Sequence, residues 1–282
     1  MGNAVMIRCC TAVVGVVLGL APSAVGAAAR SEVFVPCTTE GAAALNDAIT
    51  EGNAHPETPW DIVLQGGCTY TVTHPYGRLN ALAAVAGDIR ISSRGPSPAV
   101  IARSEAAGTP DFRVLEVELG GRLTLDRITV RGGSLGNGAG IFNNFGTLTL
   151  SGSTVESNHA RELGGGIATN GERASTTLHD STVRHNSAGF GGGGLFNNGG
   201  ATTLNSSRVS LNTTSGVGGG LFNNGSISVL RLDDSPVTGN RAAETAGGIF
   251  NGGRVTGSRS PVTGNLPNNC IGSPAPVAGC TD

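Results

Sequence analysis

The chain contains no lysine, so all 18 of its basic residues are arginines. With 20 acidic residues they make up only 13% of 282 positions, and the formal net charge is -2. No basic cluster breaks that balance, which argues against a nucleic-acid-binding surface and a polybasic membrane-docking segment. Large rings are equally scarce: one tryptophan and two tyrosines do not build a wide aromatic core. A CxxC pair and a histidine cluster are both missing, so the cysteines do not form a zinc site. The glycine runs lack the Lys-Ser/Thr ending of a phosphate-binding loop, which removes the nucleotide reading.

What the chain has in quantity is glycine, 46 residues of it, arranged around a repeated phrase. IFNNFGTLTLSGSTVESN starts at Ile141, LFNNGGATTLNSSRVSLN at Leu195 and LFNNGSISVLRLDDSPVTGN at Leu221. Ile141, Ile167, Leu195, Leu221 and Ile249 share one column, with spacings of 26, 28, 26 and 28 residues. Such a period marks a solenoid. Within each unit apolar residues alternate by two, as in Leu148 and Leu150, and threonine and valine are frequent, so the units are strands. Glycine runs at Gly164 to Gly166, Gly191 to Gly194 and Gly218 to Gly220 supply the tight corners.

Strands that recur once per turn stack in parallel on their copies at ~4.8 Å, so each column becomes a ladder along the axis. Val155, Val183, Val209, Val237 and Val262 form an apolar ladder beside a serine column running from Ser153 to Ser260. Asn158, Asn186, Asn212, Asn240 and Asn265 form another, read as structural because stacked amides satisfy one another and the turn backbone. The pattern extends upstream, where Leu125 aligns with Leu150 and Val130 with Val155. The expectation is an all-β chain: a parallel β-helix of about seven rungs, right-handed by the crossover preference of parallel strands. Thr38 to Asn53 reads as a short helix with Ala44, Leu45, Ala48 and Ile49 on one face, suited to capping the first rung.

The predicted organisation is a secretory signal over 1–29, an N-terminal cap over 30–87, repeats over 88–265 and a C-terminal cap over 266–282. The signal is read from Arg8, the apolar stretch Thr11 to Ala21, and Ala27 to Ala29. That apolar stretch is short for a membrane span. Cys37, Cys68, Cys270 and Cys280 follow it, an even number suited to an oxidising compartment. Sequence does not prove their pairing, but proximity favours Cys37 with Cys68 and Cys270 with Cys280, one staple at each end. The expected product is a secreted, extracellular or cell-surface monomer without an integral membrane span.

The GGGIFNN and GGGLFNN units with a trailing S-T-V-x-x-N resemble secreted right-handed β-helix proteins of the pectin-lyase-like superfamily. They are similar as well to the GGxI repeats of polymorphic outer-membrane proteins. The resemblance covers roughly Asp88 to Asn265 and speaks to fold, since the superfamily holds lyases, hydrolases, epimerases and non-catalytic proteins. Its lyases imply an arginine or lysine base and acidic residues holding calcium. Here no lysine exists, and Asp233-Asp234 is the sole adjacent acidic pair, so calcium enters only with the lyase reading.

Stacking makes neighbours of residues distant in sequence. Arg131, Glu156, Arg184 and Ser210 share an outward column, with His179, Asp180 and Arg208 near it. A lyase would use Arg184 or His179 as base, Asp180 to orient it, Glu156 within the patch, and Arg131 or Arg208 to clamp a carboxylate. The alternative is an exposed ion-pair ladder. Phe142, Phe196, Phe222 and Phe250 form a second column, broken by Ala168. They are placed either outside, where Phe196 and Phe222 stack on sugar rings, or under the glycine loops. The function expected is binding of an extended polymer, a polysaccharide or cell-surface glycan. Lyase action by β-elimination on a uronate glycan is the alternative, and a non-catalytic structural or adhesive role is the third reading.

Overall fold

The structure is a computed structural model that describes residues 30–282. The signal sequence read over 1–29 lies outside the described residues. From Ser31 onward the chain winds into a parallel β-solenoid of about eight turns carrying one helix. Each full turn contributes four strands, which stack into sheets of nine, eight, six and five strands, all parallel. The turn beginning at Ile141 runs Ile141–Asn144, Thr147–Ser151, Thr154–Glu156 and His159–Ala160, one strand to each sheet. These sheets are named here the FNN, long, valine and short sheets.

Register follows the repeat. Ile141 pairs with Ile167, Ile167 with Leu195, Leu195 with Leu221 and Leu221 with Ile249. The valine column holds from Ile101 through Val130 and Val155 to Val262. These residues are fully or almost fully buried, so the core is a column of branched aliphatic side chains. Each such burial contributes about 1.5–3 kcal/mol. The coil starts earlier than the repeat suggests: Ser31–Val35 and Trp60–Gln65 already pair within the long sheet. These early strands account for a turn beyond the seven visible in the sequence.

Most corners carry one residue with positive φ, and the chain provides it column by column. Between the long and valine sheets stand Arg127, Gly152, Asp180, Ser206, Asp234 and Arg259, with φ from 48° to 57°. The serine that follows closes the corner: Ser153, Ser181 and Ser207 each donate their backbone N–H to the hydroxyl one turn on, at 3.0–3.1 Å. At the next corner the asparagine column does the same twice. The Asn186 N–H and Nδ2 both donate to Asn212 Oδ1, at 2.9 and 3.0 Å, and Asn212 repeats the pattern on Asn240. The ladder ends on Asn269 Oδ1, which accepts from Asn265. This corner would otherwise bury unpaired backbone groups.

The ends are closed as the composition suggests. The helix Gly41–Ala54 buries Leu45, Ala48 and Ile49 against the first turn, and Cys37–Cys68 ties its approach. Cys270–Cys280 closes the other end, where Val277 packs on the core. Among the described residues no helix is long and apolar enough to cross a membrane.

Candidate functional site

The charged column stands on the outer face of the valine sheet. Glu156 pairs in register with Arg131 on one side and Arg184 on the other, and Arg184 with Ser210. Arg208 lies on the same face, in the column of Thr154 and Thr182. The Glu156 carboxylate accepts from Arg184 at 2.7 and 2.8 Å, while the Nε of Arg131 is buried without a hydrogen-bond partner. The Arg184 side chain is half exposed, so this pair contributes about 0.2–1 kcal/mol.

His179 is elsewhere. It ends a strand of the long sheet, in a column with Ser151, Asn205 and Asp233, and its Nδ1 lies 3.4 Å from Asn205 Nδ2. Asp180 is the corner residue between the two sheets, with φ 48°. Among the described residues no hydrogen bond joins His179 to Asp180. The structure therefore brings together Arg131, Glu156, Arg184 and Arg208 and leaves the two residues of the expected base pair apart.

Asp233 and Asp234 are likewise engaged at a corner. Hydrogen bonding to Arg231 and then Ser258 lowers the pKa of Asp233. The Arg259 guanidinium, held at 2.5 and 2.6 Å, lowers that of Asp234. Among the described residues no three His, Cys, Asp or Glu side chains converge. A calcium ion of the kind the lyase resemblance implies finds no such oxygen set there.

The outer face of the FNN sheet is built differently. Its strands alternate, so Ile141 and Asn143 point inward while Phe142 and Asn144 point outward. Phe196, Phe222 and Phe250 stack along the axis with centroids 5.2 Å apart and planes tilted by 60° and 82°, an edge-to-face ladder. The stack stops at Ala168, which takes the next place in register. Beyond it Phe142 resumes the column, its ring 4.5 Å from the guanidinium of Arg113. Burial lowers the Arg113 pKa, and nearby Glu116 opposes that shift. The rings are partly covered: Phe196 is 8% exposed, and the glycine loops run alongside them.

Beside the rings runs a ladder of outward amides. Asn170 Nδ2 donates to Asn144 Oδ1 at 3.1 Å, Asn198 to Asn170 at 2.9 Å and Asn224 to Asn198 at 3.0 Å. A side-chain amide has two N–H groups and two lone pairs, so each rung keeps one donor and one acceptor site beyond the ladder.

Two cavities flank these amides. One, of about 310 Å³, lies over Ala168 between Phe142 and Phe196, with Leu163, Asn137, Asn170, Asn198 and Asn224 around it. The other, of about 530 Å³, lies over Gly171 and Gly199 and is bordered by Phe145, Ile227, Glu172 and Arg173. They share Asn170 and Asn198.

The second cavity follows from the alternating period. Where the chain leaves the FNN sheet, Phe145-Gly146 and Gly199-Gly200 make short corners, whereas 171–174 and 225–228 are two residues longer. The long corners protrude on both sides of Gly199 and form a slot. Phe145 stands where the other turns have Gly171, Gly199 and Gly225, at φ 64°. That left-handed conformation costs a bulky residue about 1 kcal/mol or more. Its ring covers Gly171, where a Cβ would stand 2.3 Å from the ring carbon Cδ1.

No protein-family model matches this chain, and no curated protein is similar to it. The phenylalanine column is legible in the sequence, whereas the amide ladder, the slot and Phe145 are not read from it; the 26/28 alternation is the one signal that could have found the slot.

Proposed function

We propose that this protein is secreted and binds an extended polymer, a polysaccharide, through the outer face of its FNN sheet. The observation that carries the reading is the parallel run of rings and amides along the coil: Phe196, Phe222 and Phe250 beside Asn144, Asn170, Asn198 and Asn224. Exposed apolar ring edges and paired donor and acceptor sites suit a sugar polymer, and the amide ladder repeats those sites from turn to turn. Two disulfides fit an oxidising, extracellular setting.

The test is retention of the protein on a panel of immobilised neutral and acidic polysaccharides, compared with Asn198→Ala, whose amide faces outward and supports no backbone group. Retention that falls in the variant is the expected result; no retention on any polysaccharide overturns the proposal. Ultraviolet absorbance during incubation with uronate polymers runs alongside, because β-elimination creates an unsaturated product. A rise in absorbance moves the assignment to a lyase, with Arg184 on the opposite face of the turn as the first residue to replace.

A further inference from the structure

Two positions on the FNN face break the repeat in adjacent turns, and they break it in opposite senses. From the turn at Ile141 to the turn at Ile249, Ala168 stands where the other four turns carry phenylalanine, leaving one ring out of the stack; upstream of them the column holds Glu116. Phe145 stands where the corner column otherwise carries glycine, adding a ring in a backbone conformation that disfavours one. Each departure shapes one of the two cavities, and these meet at Asn170 and Asn198. Ala168 forgoes the ring contacts of its neighbours and Phe145 accepts a strained backbone, so each change carries a cost for the coil. Positions that break a local rule without a stabilising return are where function is written.

We infer that these two hollows form a single subsite for a neutral glycan segment. One sugar ring enters the gap over Ala168 between Phe142 and Phe196, and the next lies in the slot against the exposed ring of Phe145. The inference rests on the polymer-binding reading and names its substrate class.

The size of the gap fits one ring. One missing side chain in a ladder of ~4.8 Å spacing leaves a layer one rung high. The cavity of about 310 Å³ lies at the small end of ligand pockets. Its chemistry fits a neutral sugar: phenylalanine, leucine and alanine supply the apolar contact, and its polar lining consists wholly of asparagine amides. No ionised side chain borders it, so a uronate carboxylate entering the gap would lose its hydration without a cationic partner. Hydroxyls, each a donor and an acceptor, match the unused donor and acceptor of Asn170, Asn198 and Asn224. In the slot the oppositely charged neighbours Glu172 and Arg173 sit on the protruding corner, with Phe145 44% and Ile227 57% exposed beside them. Large apolar side chains held this open beside a polar ladder mark a contact surface.

The experiment uses the whole secreted chain and restores the repeat. Ala168→Phe refills the stack with the residue of the neighbouring turns, and Phe145→Gly returns the corner to its usual glycine. Binding of neutral gluco-, manno- and xylo-oligosaccharides and of oligogalacturonates is measured by calorimetry, with thermal unfolding recorded for each protein. Expected is binding of a neutral oligosaccharide by the parent, at least tenfold weaker in each variant, with the unfolding midpoint unchanged or raised. Parent and variants binding neutral sugars equally would overturn the subsite while leaving polymer binding in place. Preference for oligogalacturonate would overturn the neutral class. A fall in unfolding midpoint that accompanies lost binding would make the two residues packing elements and refute the inference. A parent that binds no glycan removes this inference and the proposed function together.

Discussion

Removing a single amide from the buried asparagine column should cost more than removing any charge from the surface. Asn212 is fully buried, and its side chain makes four hydrogen bonds. Oδ1 accepts from the Asn186 N–H at 2.9 Å and from Asn186 Nδ2 at 3.0 Å; Nδ2 donates to Val183 O and to Asn240 Oδ1, both at 3.0 Å. In Asn212→Ala the consequences are directional. Asn240 Oδ1 keeps the Asn212 N–H as a partner, and Asn186 Nδ2 keeps Val155 O. The Asn186 N–H loses its acceptor in a buried corner. An orphaned buried donor costs about 1–3 kcal/mol, and the three other lost bonds about 0.5–1.5 kcal/mol each, so a total of about 2.5–7.5 kcal/mol is expected. Arg184→Ala, which breaks the exposed pair with Glu156, should cost at most about 1 kcal/mol.

Urea denaturation compares the two variants, and amide hydrogen exchange locates the damage. Because a solenoid couples only nearest neighbours, faster exchange should centre on Asn186, one turn upstream, and spare Asn240. A loss below 1 kcal/mol for Asn212→Ala, or acceleration at Asn240 in place of Asn186, would refute the reasoning.

The two end staples should differ in strength. With separations of 31 and 10 residues, loop-closure entropy gives about 3.7 kcal/mol for Cys37–Cys68 and about 2.7 kcal/mol for Cys270–Cys280. Paired Cys→Ser variants, melted one end at a time, should show the larger loss at the N-terminal end, and equal or reversed losses would contradict that order. The aspartates of the late corner should titrate low. Hydrogen bonding to Arg231 and to Arg259 depresses the folded pKa of Asp233 and Asp234, so their contribution is present above the unfolded value of 3.8 and is lost as pH falls through the depressed value. Carboxyl carbon chemical shifts should therefore show both midpoints below 3.8, and a midpoint at or above it would mean that the arginine contacts do not hold in solution.

Column position was legible in the sequence because a parallel solenoid converts period directly into register. Ile141 aligns with Ile167 at 26 residues and Val155 with Val183 at 28, and once both columns are in place Glu156 falls between Arg131 and Arg184. The buried asparagine ladder was legible for the same reason. Which side chains reach each other across a corner was not. His179 and Asp180 are adjacent in the chain, yet one closes a strand of the long sheet and the other takes the left-handed corner. Their separation is set by where the backbone turns, a matter of one residue. The first turn was illegible because Ser31–Val35 and Trp60–Gln65 lack the repeat's glycine and asparagine markers, and only pairing reveals them as coil.

The alternating period shows how a regular sequence can still specify a local site. A solenoid whose turns were all alike would present one continuous surface, with no position favoured over its copies. Two-residue extensions on alternate corners give the FNN face a doubled repeat, raising 171–174 and 225–228 around the short corner at Gly199. That periodic relief would provide slots at regular intervals, but Phe145 and Ala168 each occur once in their columns, on neighbouring turns. Relief from the doubled period and identity from the two exceptions coincide at Asn170 and Asn198. Ala168 forgoes the ring contacts that its neighbours make and Phe145 takes a left-handed backbone, and the proposed glycan subsite would draw on both at one point of the coil.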